Sequence, residues 1–512
     1  MSPEYFQLDS FNRMSSEYFQ LDSPNRMPSE FIQITLRIPS WRHSIAKKIE
    51  ISLPPLSSQS NQDVTPVKYQ IPYGKGSVDV EIDHPVQILE PNKLDMRDES
   101  ELIAGALQKP YGMPSFEEFA TFDKSLLVIV NDGTRPTPTS RIIREVAPVL
   151  TKHPDVKFII ATGAHRAPTE EEFDLIFGEY YSEFADRIFS HDARKSEDMV
   201  YLGTSTNGTE MYVNKMLTEA DNILVIGSVE PHYFGGYTGG RKSFLPGVAS
   251  YETIEQNHKL ALSNRARSLA LDGNPVHEDM VDALENLKGM NVFSIQTVLT
   301  GDHKIFDVTA GDLHESFYAA IESANSIFCV PLEERADIVI TVAPYPMDVD
   351  LYQSQKAIDN GKFALRRDGV LIFVSRCADG IGGKTFFNLL SCASSPQEVL
   401  YAINKDYKLG YHKAAKLAQI GVWARMMGVT ELEDDLLRAV QMEPMPDIQT
   451  AVDEAIAHIR AQGKEPTFIL LPAGSLTIPH IADSGLSDGW MRVRSDSDIK
   501  EMMDCLDVVF EG

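Results

Sequence analysis

Six short apolar runs constrain what this chain can fold into. They read SLLVIV (residues 125–130), VKFIIATG (156–163), NILVIGSV (222–229), ADIVITVAP (336–344), GVLIFVSRC (369–377) and TFILLPAG (467–474). A strand with one wet face alternates apolar and polar residues, whereas these runs are apolar at successive positions and must bury both faces. Helical segments separate them. One is announced at Thr169 with Glu172 three residues on, a capping-box pattern that starts a helix there. The pattern predicts an α/β protein of two domains with mainly parallel, helix-covered sheets. Its domains are expected at 31–325 and 331–485, with a hinge or crossover near 315–335. In such sheets ligands bind beyond the carboxyl ends of the strands. Every unusual polar segment here follows the end of an apolar run, so these loops read as one active site in the interdomain cleft.

The ends of the chain read differently. SPEYFQLDSFNRM (2–14) returns as SSEYFQLDSPNRM (15–27), matching at 11 of 13 positions. A third, decayed copy begins with MPSEFIQ at Met27. Units this short bury no core. Residues 1–30 are therefore expected to be a disordered leader, with folding beginning near Phe31, where FIQITLRIP alternates like a strand. Residues 486–512 form a tail rich in Asp and Ser.

Acidic residues number 74 against 47 basic ones, a net charge of −27. Such a surface repels nucleic acid and anionic membranes, and neither is an expected partner. Four cysteines, none in a CxxC pair, fit a reduced compartment. No run of 18 apolar residues and no apolar signal core appear, so a cytoplasmic protein is expected.

The segment EPHYFGGYTGGRKSFLPGVAS (230–250) is almost a phosphate-binding P-loop. Arg241 intrudes between Gly240 and Lys242, however, so the lysine falls one place late for nucleotide hydrolysis. The paired glycines let backbone approach a ligand. Three histidines stand out by setting: His165 and His232 just after apolar runs, and His258 on the helix expected after the glycine loop. Neutral imidazole ligates metals, and a ring with a pKa near 6.5 moves protons at neutral pH. Spacing alone leaves a metal site and an acid/base pair equally open. NDGTRPTP (131–138) adds Asp132, Gly133, Thr134 and Arg135; the arginine suits bidentate grip of a carboxylate or phosphate, or an ion pair with Asp132. In YQSQK (352–356), Gln353 and Lys356 fall on one helical face and point across the cleft, or simply to solvent.

Taken together, NDGTRP, ATGAHR, EPHYFGGYTGGRKSFLPG, the NH at 257–258, GNPVHED (273–279) and YQSQK resemble the nickel-dependent lactate racemase family. The likeness runs from about residue 126 to the TIP at 477–479. The spacings fit as well: Lys242 lies ten residues after His232, His258 sixteen after Lys242, and Gln353 ninety-five after His258. The resemblance implies a nickel-pincer nucleotide, Ni(II)-pyridinium-3,5-bisthiocarboxylate mononucleotide, joined to Lys242 as a thioamide, with His258 as the protein ligand to the metal. It implies racemisation or epimerisation at C2 of a 2-hydroxy acid by hydride transfer, with His165 and His232 as acid and base. Asp132, Gly133, Thr134 and Arg135 then contact cofactor and substrate, and Arg135 and Lys356, beside Gln353, hold the substrate carboxylate. Cofactor-biosynthesis proteins are implied as partners. No side-chain recognition residue matches, so the acid itself stays open, lactate being one candidate. Two other classes fit the bare residues: a zinc-dependent hydrolase or lyase using the three histidines, and a non-catalytic 2-hydroxyacid sensor.

Overall fold

The computed structural model describes residues 66–287 and 289–481, and the backbone of two strands nearer the start. Those strands, Phe31–Ile38 and Ile45–Ser52, pair antiparallel within a separate unit of residues 1–65. The expected leader at 1–30 and tail at 486–512 lie outside the described residues.

Each of the six apolar runs is a strand, and they divide equally between two six-stranded sheets. In the first sheet the spatial order is Ile305–Asp312, Asn291–Leu299, Asn222–Ser228, Leu126–Asn131, Val156–Ala161, Ile188–Ser190. All neighbours run parallel except the outer pair Asn291–Leu299 and Ile305–Asp312. Side chains alternate across the sheet. Leu126, Val128 and Val130 pack on one face with Ile142, Phe158 and Phe177, while Leu127 and Ile129 pack on the other with Val225, Phe244 and Ile254. The helix foreseen at Thr169 runs Glu170–Phe177, and Thr169 and Glu172 close a reciprocal capping box.

The second sheet is parallel throughout, in the order Glu443–Pro444, Arg425–Val429, Leu365–Val374, Ala336–Val342, Phe468–Leu471, Val86–Ile88. Its last strand comes from early in the chain. So does the antiparallel hairpin Val67–Tyr73 and Gly76–Ile82, whose Ile71, Val80 and Ile82 bury against Ile338, Ile340 and Ile372. The segment 67–88, assigned by sequence to the first domain, thus belongs to the core of the second sheet. A two-stranded hairpin alone is marginal in water, and this one gains its stability from that apolar face. The crossover is the helix Leu313–Phe328 followed by the strand Cys329–Pro331, which pairs with Ile478–His480.

Three strands of the first sheet, Asn291–Leu299, Ile305–Asp312 and Ile188–Ser190, lie outside the six apolar runs. Asn291–Leu299 buries Ser294, Gln296 and Thr297 completely, so polar residues interrupt its run. Among the described residues no helix is long and apolar enough to cross a membrane.

Phe158 is fully buried and meets Phe177 edge-on at 5.5 Å and Phe184 at 4.7 Å between ring centroids. Phe158→Ala is expected to cost about 3–5 kcal/mol of stability. Leu175→Ala, at a side chain 62% exposed, should change it little. Thermal or urea unfolding of the two variants compares them directly.

Candidate active site

Parallel register builds this site. Asn131 stands opposite Ala161, and Val130 opposite Ile226. The loops after these three strands therefore emerge side by side. They surround a cavity of about 420 Å³, within the size range of small-molecule sites. Asp132, Arg135, His165, His232, Lys242 and His258 all line it. Six of the ten residues singled out in the sequence are thus brought together.

The Asp132 loop orients a histidine. Asp132 is buried, and its Oδ2 lies 2.7 Å from His165 Nδ1. Its Oδ1 accepts from the Thr134 amide at 3.0 Å and from the Thr134 hydroxyl. Burial raises the carboxyl's pKa, but these bonds outweigh it and hold the group below its ordinary value. An ionised acceptor at Nδ1 places that ring proton toward Asp132 and leaves Nε2 for chemistry. Asp132 is therefore paired with His165, and Arg135 has no ion-pair partner among the described residues. Thr134 acts through Asp132. Gly133 does not line the cavity; a Cβ there would overlap Glu172, so glycine is required by packing.

The glycine-rich loop brings a histidine and a lysine together. His232 and Gly236 pair in a small antiparallel ladder, and Gly240–Ser243 forms one 3₁₀ turn. Gly236 (φ +75°) abuts the Ala270 carbonyl and Gly239 (φ +78°), which also lines the cavity, abuts Gln296, so a side chain fits at neither. His232 Nδ1 accepts the Gly235 N–H at 3.1 Å. A neutral ring so fixed carries its proton on Nε2. That Nε2 lies 3.1 Å from Lys242 Nζ. The amine must then offer its lone pair, which only an uncharged lysine has. The electrostatics agree. Burial foremost, then Arg135 and Arg241, push the Lys242 amine well below its usual value, and Glu230 opposes them only in part. Burial and then Lys242 likewise push His232 well below the ordinary imidazole range. An uncharged lysine in a cavity is a nucleophile.

His258 sits in the last turn of the helix Tyr251–Lys259, which Ser250 caps. It is 8% exposed, and burial, followed by His412 and Lys242, pushes its pKa well below the ordinary value. Its Nδ1 lies 3.2 Å from Asn257 Oδ1. Among the described residues no set of three or more His, Cys, Asp or Glu side chains is grouped to hold a metal ion. The three histidines of the sequence reading therefore share a cavity without being grouped as a ligand set.

From the second sheet's side the cavity is closed by Tyr352, Leu409, Gly410, His412 and Lys413. Gln353 and Lys356, the residues chosen from YQSQK, do not line it; Gln353 is exposed on the helix Leu351–Gly361, one place beyond Tyr352. His412 is held down to about 3 by burial and then Lys416. Lys413 is pushed to about 8, chiefly by burial, and lies over the Tyr352 ring. These residues escaped the sequence reading because they begin a helix, Tyr411–Gly421, that follows other helices rather than an apolar run. The available signal was Gly410, which enters that helix at φ +98°.

Comparison with known proteins gives the class first: this chain is an isomerase, a racemase. Residues 73–269 match the lactate racemase N-terminal domain and residues 332–478 the lactate racemase C-terminal domain. The chain belongs to the lactate racemase family, as its motifs indicated. The lactate racemase of Thermoanaerobacterium thermosaccharolyticum is 33% identical over 412 residues, covering 77% of this chain and 96% of that protein. That of Lactiplantibacillus plantarum is 30% identical over 430 residues, covering 80% and 98%. The structure of the T. thermosaccharolyticum lactate racemase apoprotein matches with a TM-score of 0.72 at 31% identity, over 81% of this chain and all of that one. A Thermotoga maritima protein shares the fold alone, with a TM-score of 0.54 at 16% identity.

Two measurements test the site's electrostatics. In cofactor-free protein, an amine-acylating reagent at pH 7 should modify Lys242 ahead of the exposed lysines, as mapped by peptide mass spectrometry. His277, 5% exposed, is held to about 3 by burial and then Arg241. Its unfolded ring titrates near 6.5. The unfolded state thus binds more protons below that pH, so its stability contribution is complete above about 6.5 and is lost as the pH falls toward 3. His277→Gln should flatten the fall in melting temperature between pH 7 and pH 5.

Proposed function

We propose that this chain racemises or epimerises a 2-hydroxy acid at C2, using a nickel-pincer nucleotide tethered to Lys242. The observation that carries the reading is the buried Lys242 amine 3.1 Å from His232 Nε2, its pKa held well below the ordinary lysine value chiefly by burial. An uncharged amine inside a cavity suits condensation with a thiocarboxylic acid, in which the thioamide C–N bond would form as the carboxyl oxygen leaves as water, and no P-loop register is needed for it. The remaining residues fit the group. His258 turns Nδ1 toward Asn257, leaving Nε2 to ligate the metal. Arg135 brings an unpaired guanidinium to an anionic ligand. When bound, the nucleotide would supply nickel and a hydride-accepting pyridinium.

The protein handles protons and position. Arg135 holds the substrate carboxylate, fixing C2 and its hydroxyl within the cavity. Gln353 and Lys356 join that grip as the lobes close on the substrate. His165, aligned through Nδ1 by Asp132, takes the hydroxyl proton at Nε2 from one enantiomer and returns it. Asp132, Gly133 and Thr134 form the loop wall that keeps this ring and the nucleotide in place. His232 serves the other enantiomer. Acylation of Lys242 removes the lone pair that accepts from His232 Nε2–H, which frees that proton for the substrate oxygen. Two bases are needed because the hydroxyl of each enantiomer is presented differently.

The group must be made and loaded by cofactor-biosynthesis proteins, and Cys329, Cys377 and Cys392 as free thiols support work in the reducing cytoplasm. Protein matured with those enzymes should carry nickel and a mass increase on Lys242. It should also invert C2 in a panel of 2-hydroxy acids followed by chiral chromatography. Lys242→Ala should lose the tethered mass and all turnover. Matured protein with neither nickel nor added mass would refute the reading.

A further inference from the structure

A buried polar chain runs away from the proposed metal ligand. Asn257, fully buried, donates from Nδ2 to the Val276 carbonyl at 3.2 Å and to Asp279 Oδ2 at 2.8 Å. A backbone carbonyl only accepts, so the amide cannot be turned the other way without setting oxygen against oxygen. Its Oδ1 is left facing His258 Nδ1 at 3.2 Å. That oxygen also only accepts, and the proton between them must belong to the ring.

Asp279 is the fixed end of the chain. It is fully buried on the helix Pro275–Leu284 and makes no ion pair among the described residues. Its Oδ1 accepts from the Ser205 hydroxyl, and Oδ2 accepts from Thr209 Oγ1 at 2.8 Å besides Asn257. A carboxylate engaged by three donors, two from the turn 205–209 and one from the helix Tyr251–Lys259, is held rigidly.

We infer that Asp279 and Asn257 are positioning residues that lock His258 in its Nδ1–H tautomer, so that Nε2 presents a bare lone pair to the cavity. The inference rests on the reading of His258 as a nickel ligand for its purpose, though not for its geometry. A neutral imidazole in water places its proton on either nitrogen, and the wrong form has no lone pair at Nε2. Partners of this kind behind a metal ligand commonly change affinity about 10–100-fold.

The test begins with cofactor-free protein labelled with ¹⁵N-histidine. Long-range proton–nitrogen spectra, with His258 identified by the signals missing in His258→Gln, should show one neutral form with hydrogen on Nδ1. Asn257→Ala should give mixed tautomers, whereas Asp279→Asn keeps an acceptor oxygen and should retain the single form. In matured protein, Asn257→Ala should release nickel to a chelator about 10–100-fold faster than the parent. Hydrogen on Nε2 in the unsubstituted protein overturns the inference, and so does an unchanged tautomer in a folded Asn257→Ala. A packing role for Asn257 would lower the melting temperature and leave the tautomer alone. Should the parent show the Nδ1–H form while matured protein binds no nickel, the lock stands and the nickel reading fails.

Discussion

The structure depends on three parallel strands kept in step. Asn222–Ser228, Leu126–Asn131 and Val156–Ala161 are buried on both faces, and a shift of any one by a residue would turn its inward side chains outward. That cost fixes the register. The register then fixes where Asp132, His165 and His232 leave the sheet. The apolar cores set the loop origins, and polar bonds finish the placement: Asp132 with His165 between two loops, and Asp132 with Thr134 within one.

Charge balance says what such a site must receive. Arg135 and Lys413 bring positive charge to the cavity, which Glu230 also lines, while Asp132 is already paired with His165. The chain as a whole is strongly acidic. A cationic hollow in an anionic surface draws small anions and turns away polyanions, whose repulsion by the rest of the surface outweighs the local attraction. Burial has a second effect, which Glu230 offsets only in part at Lys242: it disfavours the charged forms. Lys242 and the buried imidazoles are all driven toward their uncharged forms, which are the forms that bond to carbon or metal.

Much of this was legible in the sequence, and what was missed has physical causes. Runs such as NILVIGSV announce themselves because both strand faces are apolar. The strand Asn291–Leu299 did not, because Gln296 donates to Ser294 and supports Gly240 inside the core. The motifs at strand ends were found since strand ends are where such sheets bind. Tyr352, His412 and Lys413 were passed over since helices alone precede two of them, and nothing local ties a helix start to a cavity on the other lobe. The tie is tertiary: Lys416 Nζ donates to the Ser263 carbonyl at 3.0 Å, Gln419 to Leu262 at 2.8 Å, and the Leu409 amide to Glu255 at 3.1 Å. Asp279 was visible within GNPVHED, but its link to His258 passes through Asn257 and cannot be read from spacing.

The edge strand Val86–Ile88 has a consequence for how the polypeptide is made. Its partner is Phe468–Leu471, almost four hundred residues later. The first sheet has all its strands once the ribosome has passed Asp312, whereas Ile71, Val80 and Ile82 have no apolar face to cover until the second sheet appears. During synthesis the opening hairpin must wait, exposed, while an entire layer assembles behind it. The last strand of the second sheet to emerge is the one that pairs with its first.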